Sequence, residues 1–462
     1  MALQFFNSIH REKKVFHPIE EGKVGLYTCG PTVYDYAHIG NFRTFMFEDL
    51  LKRWLLHLGY DVKHVMNITD VDDKTIKKAQ ELKVSLSEVT DEYTQYFMDD
   101  LKWLKMVPAN NYPQATDAIP KMITMIERLL KKGFAYREEG GSVYFNIRSF
   151  HDYGRLTKIK ITGQRTGDRV ADDEYDKDTP QDFALWKGWK EEDGDVFWDA
   201  PWGKGRPGWH IECSAMSSEN LGDHFDIHCG GVDNMFPHHE NEIAQSQCAT
   251  DQPFVNVWLH SEFLFVDGGK MSKSLGNFYR IGDLKTMGFS PECIRYQLLA
   301  GHYRTKISFS ADKKHEGDKV VRRISDLYSR LEKRNASEIA NGTLPEAYSK
   351  FRDRMNDDLD SPRALAVFFD WMKFVNIKID QKNISESELG EAWEFMLAFD
   401  SVFGFIQKQD FEIPDDINLL LSQRQKARVD KNWVESDLIR VSLKEKGWIV
   451  EDTPNGQSLK KT

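Results

Sequence analysis

The sequence predicts an α/β fold, with a parallel-sheet core, an inserted subdomain and a mostly helical C-terminal half. Three observations support this prediction. A strand, a helix and a second strand follow one another near the N-terminus. A charged, turn-rich segment then interrupts the pattern, and amphipathic helical periodicity dominates from about residue 310. With 462 residues, the chain is long enough for about two to four domains.

The first element is a strand–helix–strand unit within residues 1–107, which we expect to form the first half of the core. Residues 24–28 are apolar and typical of a strand, and 62-VKHVMNI-68 indicates a second strand. Between them, apolar residues recur at helical spacing over 42–58 and end at Gly59. A crossover helix between two strands predicts that the strands are parallel.

The next element, residues 108–205, reads as an insertion that begins with a helical stretch over 118–133. The buried strand pattern returns in 224-HFDIHCGG-231, so residues 206–265 are predicted to complete the core. Pro237 is expected near the start of the helix that follows, where proline is tolerated.

The remaining chain is predicted to be mostly helical. We expect a region with the KMSKS loop and a stem contact at 266–315, a helical bundle at 316–410 and a small C-terminal domain at 411–462. In that last domain, Trp433 and Trp448 are expected to pack in the core, with stacking on RNA bases as the alternative.

Composition narrows the class of protein. No apolar run approaches the roughly 18 residues that span a bilayer, and the N-terminus lacks the features of a signal peptide. Five dispersed cysteines argue against a disulfide framework and for a reducing compartment. We therefore expect a cytoplasmic protein without membrane contact. The net charge of −11 gives no global attraction to nucleic acid, although a local basic groove can bind RNA.

The motif 38-HIGN-41 lies between a predicted strand and a predicted helix. Ligands bind at this position in parallel α/β folds, where the helix N-terminus favours phosphate. Gly40 permits close approach of a nucleotide, and His38 and Asn41 can donate hydrogen bonds to phosphate oxygens. Taken alone, the motif is equally compatible with a polar loop that contains a histidine.

A second motif, 270-KMSKS-274, follows a Gly-rich turn. Lys270 and Lys273 can converge on a phosphate chain. An isolated Lys-x-x-Lys is more typical of a basic surface turn.

A third constellation combines ligands that suit tetrahedral Zn²⁺. Two are cysteines far apart in the chain, and two lie in 236-FPHHENEIAQS-246, four residues apart and on one face if this stretch is helical. The set is Cys29, Cys213, His238 and Glu242. Spacing leaves other choices open: His239 with Glu242, His228 with Cys229, or buried thiols beside a helix-start histidine pair without any metal.

Together these motifs resemble a known family. The chain is similar to the cysteinyl-tRNA synthetases, class I aminoacyl-tRNA synthetases with a Rossmann-like catalytic core. The strings that carry the resemblance are 27-YTCGPTVYD-35, 67-NITDVDDK-74, 207-PGWHIECSAM-216, 236-FPHHENEIAQS-246 and 270-KMSKSLGN-277. The chain departs from the usual pattern at Asn41, where the family has His, and at Cys229, where Gly is common. We interpret Cys229 as a passive core thiol.

The resemblance implies the reaction. L-cysteine and ATP with Mg²⁺ give cysteinyl-adenylate, and the cysteinyl group passes to the 3′ end of tRNA(Cys). It also implies one zinc ion per chain that binds the substrate thiolate, a tRNA-binding bundle and an anticodon-binding C-terminal domain. We expect a monomer.

The resemblance also implies roles for individual residues. The catalytic residues would be His38, Asn41, Lys270 and Lys273. The ATP contacts would be those four together with Gly40, Gly230, Gly231 and Asp233. The cysteine contacts would be Cys29, Thr32, Thr69, Trp209 and Asp233, and the zinc ligands Cys29, Cys213, His238 and Glu242.

A zinc ion would have a clear physical purpose. Serine and cysteine differ by one atom, and an apolar pocket separates such similar shapes by only about 1–3 kcal/mol. Zinc favours a bound thiolate, whereas a serine hydroxyl is a poor ligand at neutral pH. Two alternatives are a cysteine ligase that uses a small amine instead of tRNA, and an RNA-binding protein without catalysis.

Overall fold

The computed structural model describes residues 1–159, 169–170, 181–269, 277–407, 414–453 and 456–461. The chain divides into two compact units, residues 1–407 and 408–462. Among the described residues, no helix has the length and apolar character needed to cross a membrane.

The secondary structure alternates in the first half of the chain and is mostly helical in the second. The strands are β1 (Gln4–Asn7), β2 (Glu12–Val15), β3 (Lys23–Thr28), β4 (Asp61–Met66), β5 (Ala135–Arg137), β6 (Val143–Phe145), β7 (Arg169–Val170), β8 (Asp182–Gly188), β9 (Trp198–Ala200), β10 (Gly203–Pro207), β11 (Phe225–Gly231), β12 (Val255–Ser261), β13 (Leu264–Val266), β14 (Ile307–Phe309), β15 (Trp448–Thr453) and β16 (Gly456–Lys461). The helices are α1 (Ile39–His57), α2 (Asp73–Leu82), α3 (Leu86–Trp103), α4 (Ile119–Lys132), α5 (Trp209–Leu221), α6 (Glu240–Thr250), α7 (Ile281–Thr286), α8 (Pro291–Leu299), α9 (Lys314–Glu332), α10 (Ala336–Ile339), α11 (Glu346–Asn356), α12 (Ser361–Asp380), α13 (Glu386–Phe403), α14 (Asp415–Val429) and α15 (Trp433–Glu445).

The centre of the first unit is a four-stranded parallel sheet in the order β12-β11-β3-β4. Every residue of β11 is buried, as is typical of an inner strand covered on both faces. Because the strands are parallel, their carboxyl ends lie at the same edge of the sheet. The last residues of the four strands are Thr28, Met66, Gly231 and Ser261. The predicted α/β fold with a parallel-sheet core is confirmed.

Helix α1 begins at the predicted HIGN motif because its first turn is capped by side chains. The Asn41 N–H donates to His38 Nδ1 over 3.2 Å, and the His38 N–H donates to Asn41 Oδ1 over 3.0 Å. This reciprocal pair satisfies N–H groups that have no partner within the helix. Gly59, with a φ of 88°, follows the last turn.

Alternating residues of the sheet face two cores. On one face, Leu26 and Ile227 pack with α1 and with helices of the second half of the unit. On the other face, Tyr27 and Trp258 pack with α4, α5 and α6. The sheet is therefore held between two layers of helices.

The insertion forms an antiparallel sheet in the order β5-β6-β8-β10-β9, with β7 parallel to β8. Its helix α4 packs against α5 and α6 and so supports the main sheet. Pro237 lies three residues before α6, in the irregular turn Met235–His239, and the Phe236–Pro237 peptide is cis. It precedes the regular helix instead of opening it.

The C-terminal unit is small and has its own core. Helices α14 and α15 pack against the β15–β16 hairpin around Ile417, Ile439, Leu443, Trp448 and Val450. The finer domain boundaries stay a prediction.

Candidate active site

A cavity of about 900 Å³ opens at the carboxyl edge of the sheet. Cys29, Cys213 and His238 line one end, and His38 and Asn41 line the other. The strand ends bring residues from distant parts of the sequence to one site, as parallel α/β folds do. The HIGN motif and three of the predicted metal ligands therefore share one cavity.

The deep end brings together the four predicted metal ligands. The ligand atoms of Cys29, Cys213, His238 and Glu242 all lie within 4.8 Å of one another, and all four residues are buried. His238 Nε2 is 3.1 Å from Glu242 Oε1. Two sulfur atoms, an imidazole nitrogen and a carboxylate oxygen form a donor set that suits a soft or borderline divalent cation.

Three parts of the fold position these side chains. Cys29 follows β3, Cys213 lies on α5, and His238 and Glu242 flank the start of α6. Gly30, next to Cys29, has to be glycine, because a Cβ there would lie 1.8 Å from the Asn67 carbonyl oxygen. This close approach holds the end of β3 against the end of β4.

A shell of histidines surrounds the four side chains. His228 Nε2 lies 3.0 Å from Glu242 Oε2, and His210 Nδ1 lies 2.9 Å from His238 Nδ1. Partners of this kind orient metal ligands and fix their tautomers. The sequence interpretation missed His210, although it lies three residues before Cys213 on α5.

The shell continues behind Cys29. His239 Nε2 lies 3.4 Å from Cys29 Sγ, and His239 Nδ1 lies 2.8 Å from His260 Nε2. His260 Nδ1 ends the chain of contacts at Ser8 Oγ, 2.7 Å away. His260 was also missed. The available signal was a histidine at the carboxyl end of an apolar strand, 255-VNVWLHS-261.

A second group of four ligand atoms also lies within 4.8 Å: Cys29, His228, His239 and Glu242. This group contains His228 and His239, the two histidines that sequence spacing left open as alternative metal ligands. His228 and His239 do not line the cavity, and His228 stacks on Trp258 with ring centroids 4.6 Å apart. The other rival, Cys229, is fully buried, which agrees with its interpretation as a core thiol.

Burial favours the neutral forms of the histidines and of Glu242 at the deep end. It lowers the pKa of His228 and of His260 to about 3. It raises the pKa of Glu242, and charge on Cys213 raises it further. The hydrogen bond between the two thiols raises the pKa of Cys29 and lowers the pKa of Cys213. A neutral imidazole and a thiolate are the forms that bind metal, so the lowered pKa of the Cys213 thiol favours metal binding.

Beside the metal ligands lie residues predicted to contact the amino acid. The Thr69 hydroxyl donates to Glu212 Oε2 over 3.0 Å and accepts from Asn67 Nδ2 over 3.1 Å. Trp209, the first residue of α5, stacks on His238 with a centroid distance of 4.3 Å. These contacts fix Thr69 and Trp209 before any ligand binds.

The other predicted contacts are distributed along the cavity wall. Thr32, Gly231 and Asp233 line it. Gly230 lies deeper, where a Cβ would come within 2.7 Å of His239 Cε1. Gly230 therefore faces the histidine shell.

The predicted phosphate end lies at the start of α1. Because His38 Nδ1 accepts the capping bond, a neutral ring carries its proton on Nε2. Likewise Asn41 Oδ1 serves the cap, so its Nδ2 group is the donor of this side chain. His38 Nε2 and Asn41 Nδ2 are thus donor groups of a kind that suits phosphate oxygen.

Lys270 and Lys273 lie outside the described residues. The chain that follows them is held against α1. The Ile39 N–H donates to the Tyr279 carbonyl over 2.9 Å, and the Phe278 ring meets the His38 ring edge-on at 5.0 Å. The KMSKS motif is thus followed by a segment anchored beside His38.

In the C-terminal unit, Trp433 and Trp448 differ in their exposure to solvent. Trp448 is buried in the core, as predicted. The same expectation is wrong for Trp433, which is 56% exposed because it opens α15 on the side away from Ile439 and Leu443.

Comparison with known proteins identifies the family. Residues 15–319 match the class I (C) catalytic domain of tRNA synthetases, residues 350–407 match the DALR domain, and residues 410–458 match the cysteinyl-tRNA ligase anticodon binding domain. A cysteine–tRNA ligase from Chlamydia caviae is 46% identical, covering 99% of this chain and 98% of its own. One from Brachyspira hyodysenteriae is 47% identical, covering 99% of both chains.

Solved structures agree on the fold. A Mycobacterium tuberculosis methionyl-tRNA synthetase aligns with a TM-score of 0.61 at 13% identity, covering 90% of this chain and 96% of its own. An Agrobacterium radiobacter leucyl-tRNA synthetase aligns with a TM-score of 0.60 at 11% identity, covering 84% and 85%. The chain therefore belongs to the cysteine–tRNA ligase family, and it is a class I aminoacyl-tRNA synthetase.

Proposed function

We propose that this enzyme selects L-cysteine through a zinc ion, activates it with ATP and Mg²⁺, and transfers it to the 3′ end of tRNA(Cys). The observation that carries the proposal is the buried group of two thiols, an imidazole and a carboxylate at the deep end of the cavity. Membership of the family supports the class of reaction. The set of metal-binding side chains supports the choice of cysteine as the substrate.

The proposed ligands are Cys29, Cys213, His238 and Glu242. The donor set fits zinc, because thiolate and imidazole are its common ligands and all four donors converge within 4.8 Å. When bound, zinc would supply a Lewis acid that favours the thiolate form of the substrate over a serine hydroxyl.

The alternative group, with His228 and His239, fits this role less well. A metal that recognises substrate has to be reached from the cavity, and Cys213 and His238 line the cavity whereas His228 and His239 do not. His228 also holds Glu242 from behind, which is the usual position of a residue that orients a ligand.

The protein's own residues would position the rest of the substrates. The Thr69 hydroxyl hydrogen is committed to Glu212 and its oxygen accepts from Asn67, so the second lone pair of this oxygen is the acceptor proposed for the substrate ammonium group. Thr32, Trp209 and Asp233 complete the proposed cysteine contacts.

For activation, His38 Nε2 and Asn41 Nδ2 would donate to the ATP phosphates as charge develops, with Lys270 and Lys273 as the opposing cations. Gly40, Gly231 and Asp233, which line the cavity, are the further proposed ATP contacts, and Gly230, which lies behind this wall, would act by holding the end of its strand. This end of the site needs no group that gains or loses a proton, so Asn41 can replace the usual histidine.

The tRNA is favoured as acceptor over a small amine by the C-terminal unit, since residues 410–458 match an anticodon binding domain. Exposed Trp433, with the Arg428 guanidinium 5.7 Å from its ring centroid, offers a stacking surface there. A monomeric state and a cytoplasmic location remain predictions.

Cysteine-dependent exchange of pyrophosphate into ATP, followed by charging of tRNA(Cys), tests the reaction. We expect both activities. Exchange without charging would favour the amine-acceptor ligase, and absence of exchange would favour a non-catalytic RNA-binding protein. Metal analysis of the purified enzyme should give one zinc per chain, and a zinc-free enzyme with full cysteine affinity would contradict the metal proposal.

A further inference from the structure

A cluster of three tyrosines and one arginine lies at the mouth of the cavity. We call it the mouth cluster: Tyr36, Tyr93, Tyr96 and Arg280. The Tyr36 ring lies 4.7 Å from the Tyr96 ring and 5.2 Å from the Tyr93 ring, centroid to centroid. The Arg280 guanidinium lies 4.5 Å from the Tyr36 ring centroid.

Three separate parts of the chain build this cluster. Tyr36 precedes α1, Tyr93 and Tyr96 lie on α3, and Arg280 directly precedes α7. The Arg280 side chain is also held by Asp35, at 3.2 Å. The planes of the cluster are therefore fixed in advance, which lowers the entropy lost when a ligand stacks on them.

The cluster is open to solvent and continuous with the reaction site. Tyr36 lines the cavity two residues before His38, whereas Tyr96 lies outside it and is 43% exposed. The same rim carries a second cation–aromatic pair, Lys74 above the Tyr34 ring at 5.7 Å. Two cation–aromatic pairs thus lie near the entrance.

Aromatic rings and guanidinium planes are surfaces on which unpaired bases stack, and neighbouring cations attract phosphates. Transfer of the amino acid requires an unpaired RNA end to enter this cavity. An entering strand has to pass the rim, where the stacking energy is available without any sequence-specific contact.

We propose that the mouth cluster binds an unpaired base of the tRNA 3′ end and so positions the terminal ribose at the cavity. This inference rests on the proposed tRNA-charging function and adds a binding role for Tyr36, Tyr93, Tyr96 and Arg280. Their role is positioning, since none of them touches the reacting atoms.

The test compares two RNAs on two variants. Dissociation constants are measured for intact tRNA(Cys) and for the same tRNA without its unpaired 3′-terminal nucleotides. In the wild type the intact RNA should bind more tightly. Tyr96→Leu should weaken binding of the intact RNA by roughly tenfold and leave the truncated RNA unchanged. Tyr96→Phe keeps the ring and should behave as the wild type.

Pyrophosphate exchange separates RNA positioning from a general structural role. A structural defect near the cavity would slow exchange, whereas loss of RNA positioning would not. Tyr96 lies outside the cavity, so exchange should stay within about twofold in Tyr96→Leu while single-turnover transfer to tRNA slows by roughly tenfold. Equal weakening of both RNAs, no weakening of either, or a parallel fall in exchange would each overturn the proposal.

Two different measurements test the proposed function and the role of the mouth cluster. A wild-type enzyme without cysteine-dependent exchange would contradict the function, whatever the cluster does. The binding comparison does not depend on exchange and still decides whether the cluster contacts the RNA end.

Discussion

The two ends of the cavity differ in their burial and in the kind of group that each is built to bind. The deep end, with Cys29, Cys213, His238 and Glu242, is buried and backed by histidines that burial keeps neutral. The end at His38 and Asn41 is partly exposed and is built on the first turn of a helix.

The difference follows from what each end is proposed to bind. Discrimination between a thiol and a hydroxyl needs soft ligands in a dry site, where the donor atoms are held by further hydrogen bonds. Phosphates are large, strongly hydrated anions, so backbone N–H groups and side-chain donors near solvent are sufficient. Substitutions at the two ends should therefore change different kinetic constants.

The largest effect is expected at the deep end. Cys213→Ser removes a proposed metal ligand and should raise KM for cysteine by at least about 100-fold, the upper range for loss of an outer-shell partner. KM for ATP should stay within about twofold. Steady-state exchange kinetics and zinc content measure both effects.

A matched control for this variant is Cys248→Ser. Cys248 is a buried thiol on α6 outside both groups of ligand atoms. It should keep its zinc and its KM for cysteine. An unchanged KM for cysteine in Cys213→Ser would refute the assignment of the metal site.

At the opposite end, His38→Ala should lower kcat for exchange by about 100-fold, the typical cost of one transition-state donor. KM for cysteine should change little. The same variant also loses the helix cap, which is worth about 1 kcal/mol.

His38→Asn separates the two roles of His38, because asparagine is a good capping residue but its shorter side chain does not reproduce the position of Nε2. We expect thermal unfolding to recover toward the wild type while exchange stays slow. Recovery of both together would mean that His38 acts only as a cap.

The neutral histidines predict a pH dependence of stability. Burial lowers the pKa of His260 to about 3, so between about pH 6.5 and 3 the unfolded chain binds a proton that the folded chain does not. Stability should rise with pH in this window and fall on acidification. In His260→Gln the slope of unfolding free energy against pH should decrease by up to about 1.4 kcal/mol per pH unit.

Urea unfolding at pH 7.5, 6 and 5 measures that slope. His151→Gln is the matched control, since this side chain is fully exposed and contributes no buried neutral imidazole. Equal slopes in the wild type and in His260→Gln would contradict a neutral buried His260.

The smallest effect is expected from Asn41→His. Both side chains can donate to a phosphate oxygen, so the exchange rate should change by less than about tenfold, or one 1.4 kcal/mol step. A much larger change would mean that a proton-transferring group matters at this position.

Most of the architecture was predictable because its signals are local. Helical periodicity, a glycine after α1 and continuous apolar strands depend on neighbouring residues, and they predicted the parallel core and the helical second half. The pairing of His238 with Glu242 was likewise accessible from their i,i+4 spacing, since the turn before α6 brings them to 3.1 Å. Pro237 lies near the start of α6, as expected, but the irregular turn that contains it had no signal in the local pattern.

The sequence by itself therefore determined the fold class, the family and which residue types carry the chemistry. Only the tertiary structure decided which of them meet. Cys29 and Cys213 lie 184 positions apart, and their meeting depends on how β3 and α5 pack across the sheet. His210 and His260 and the mouth cluster come together in the same way. Contacts between distant segments depend on packing of the whole unit, which no local pattern encodes.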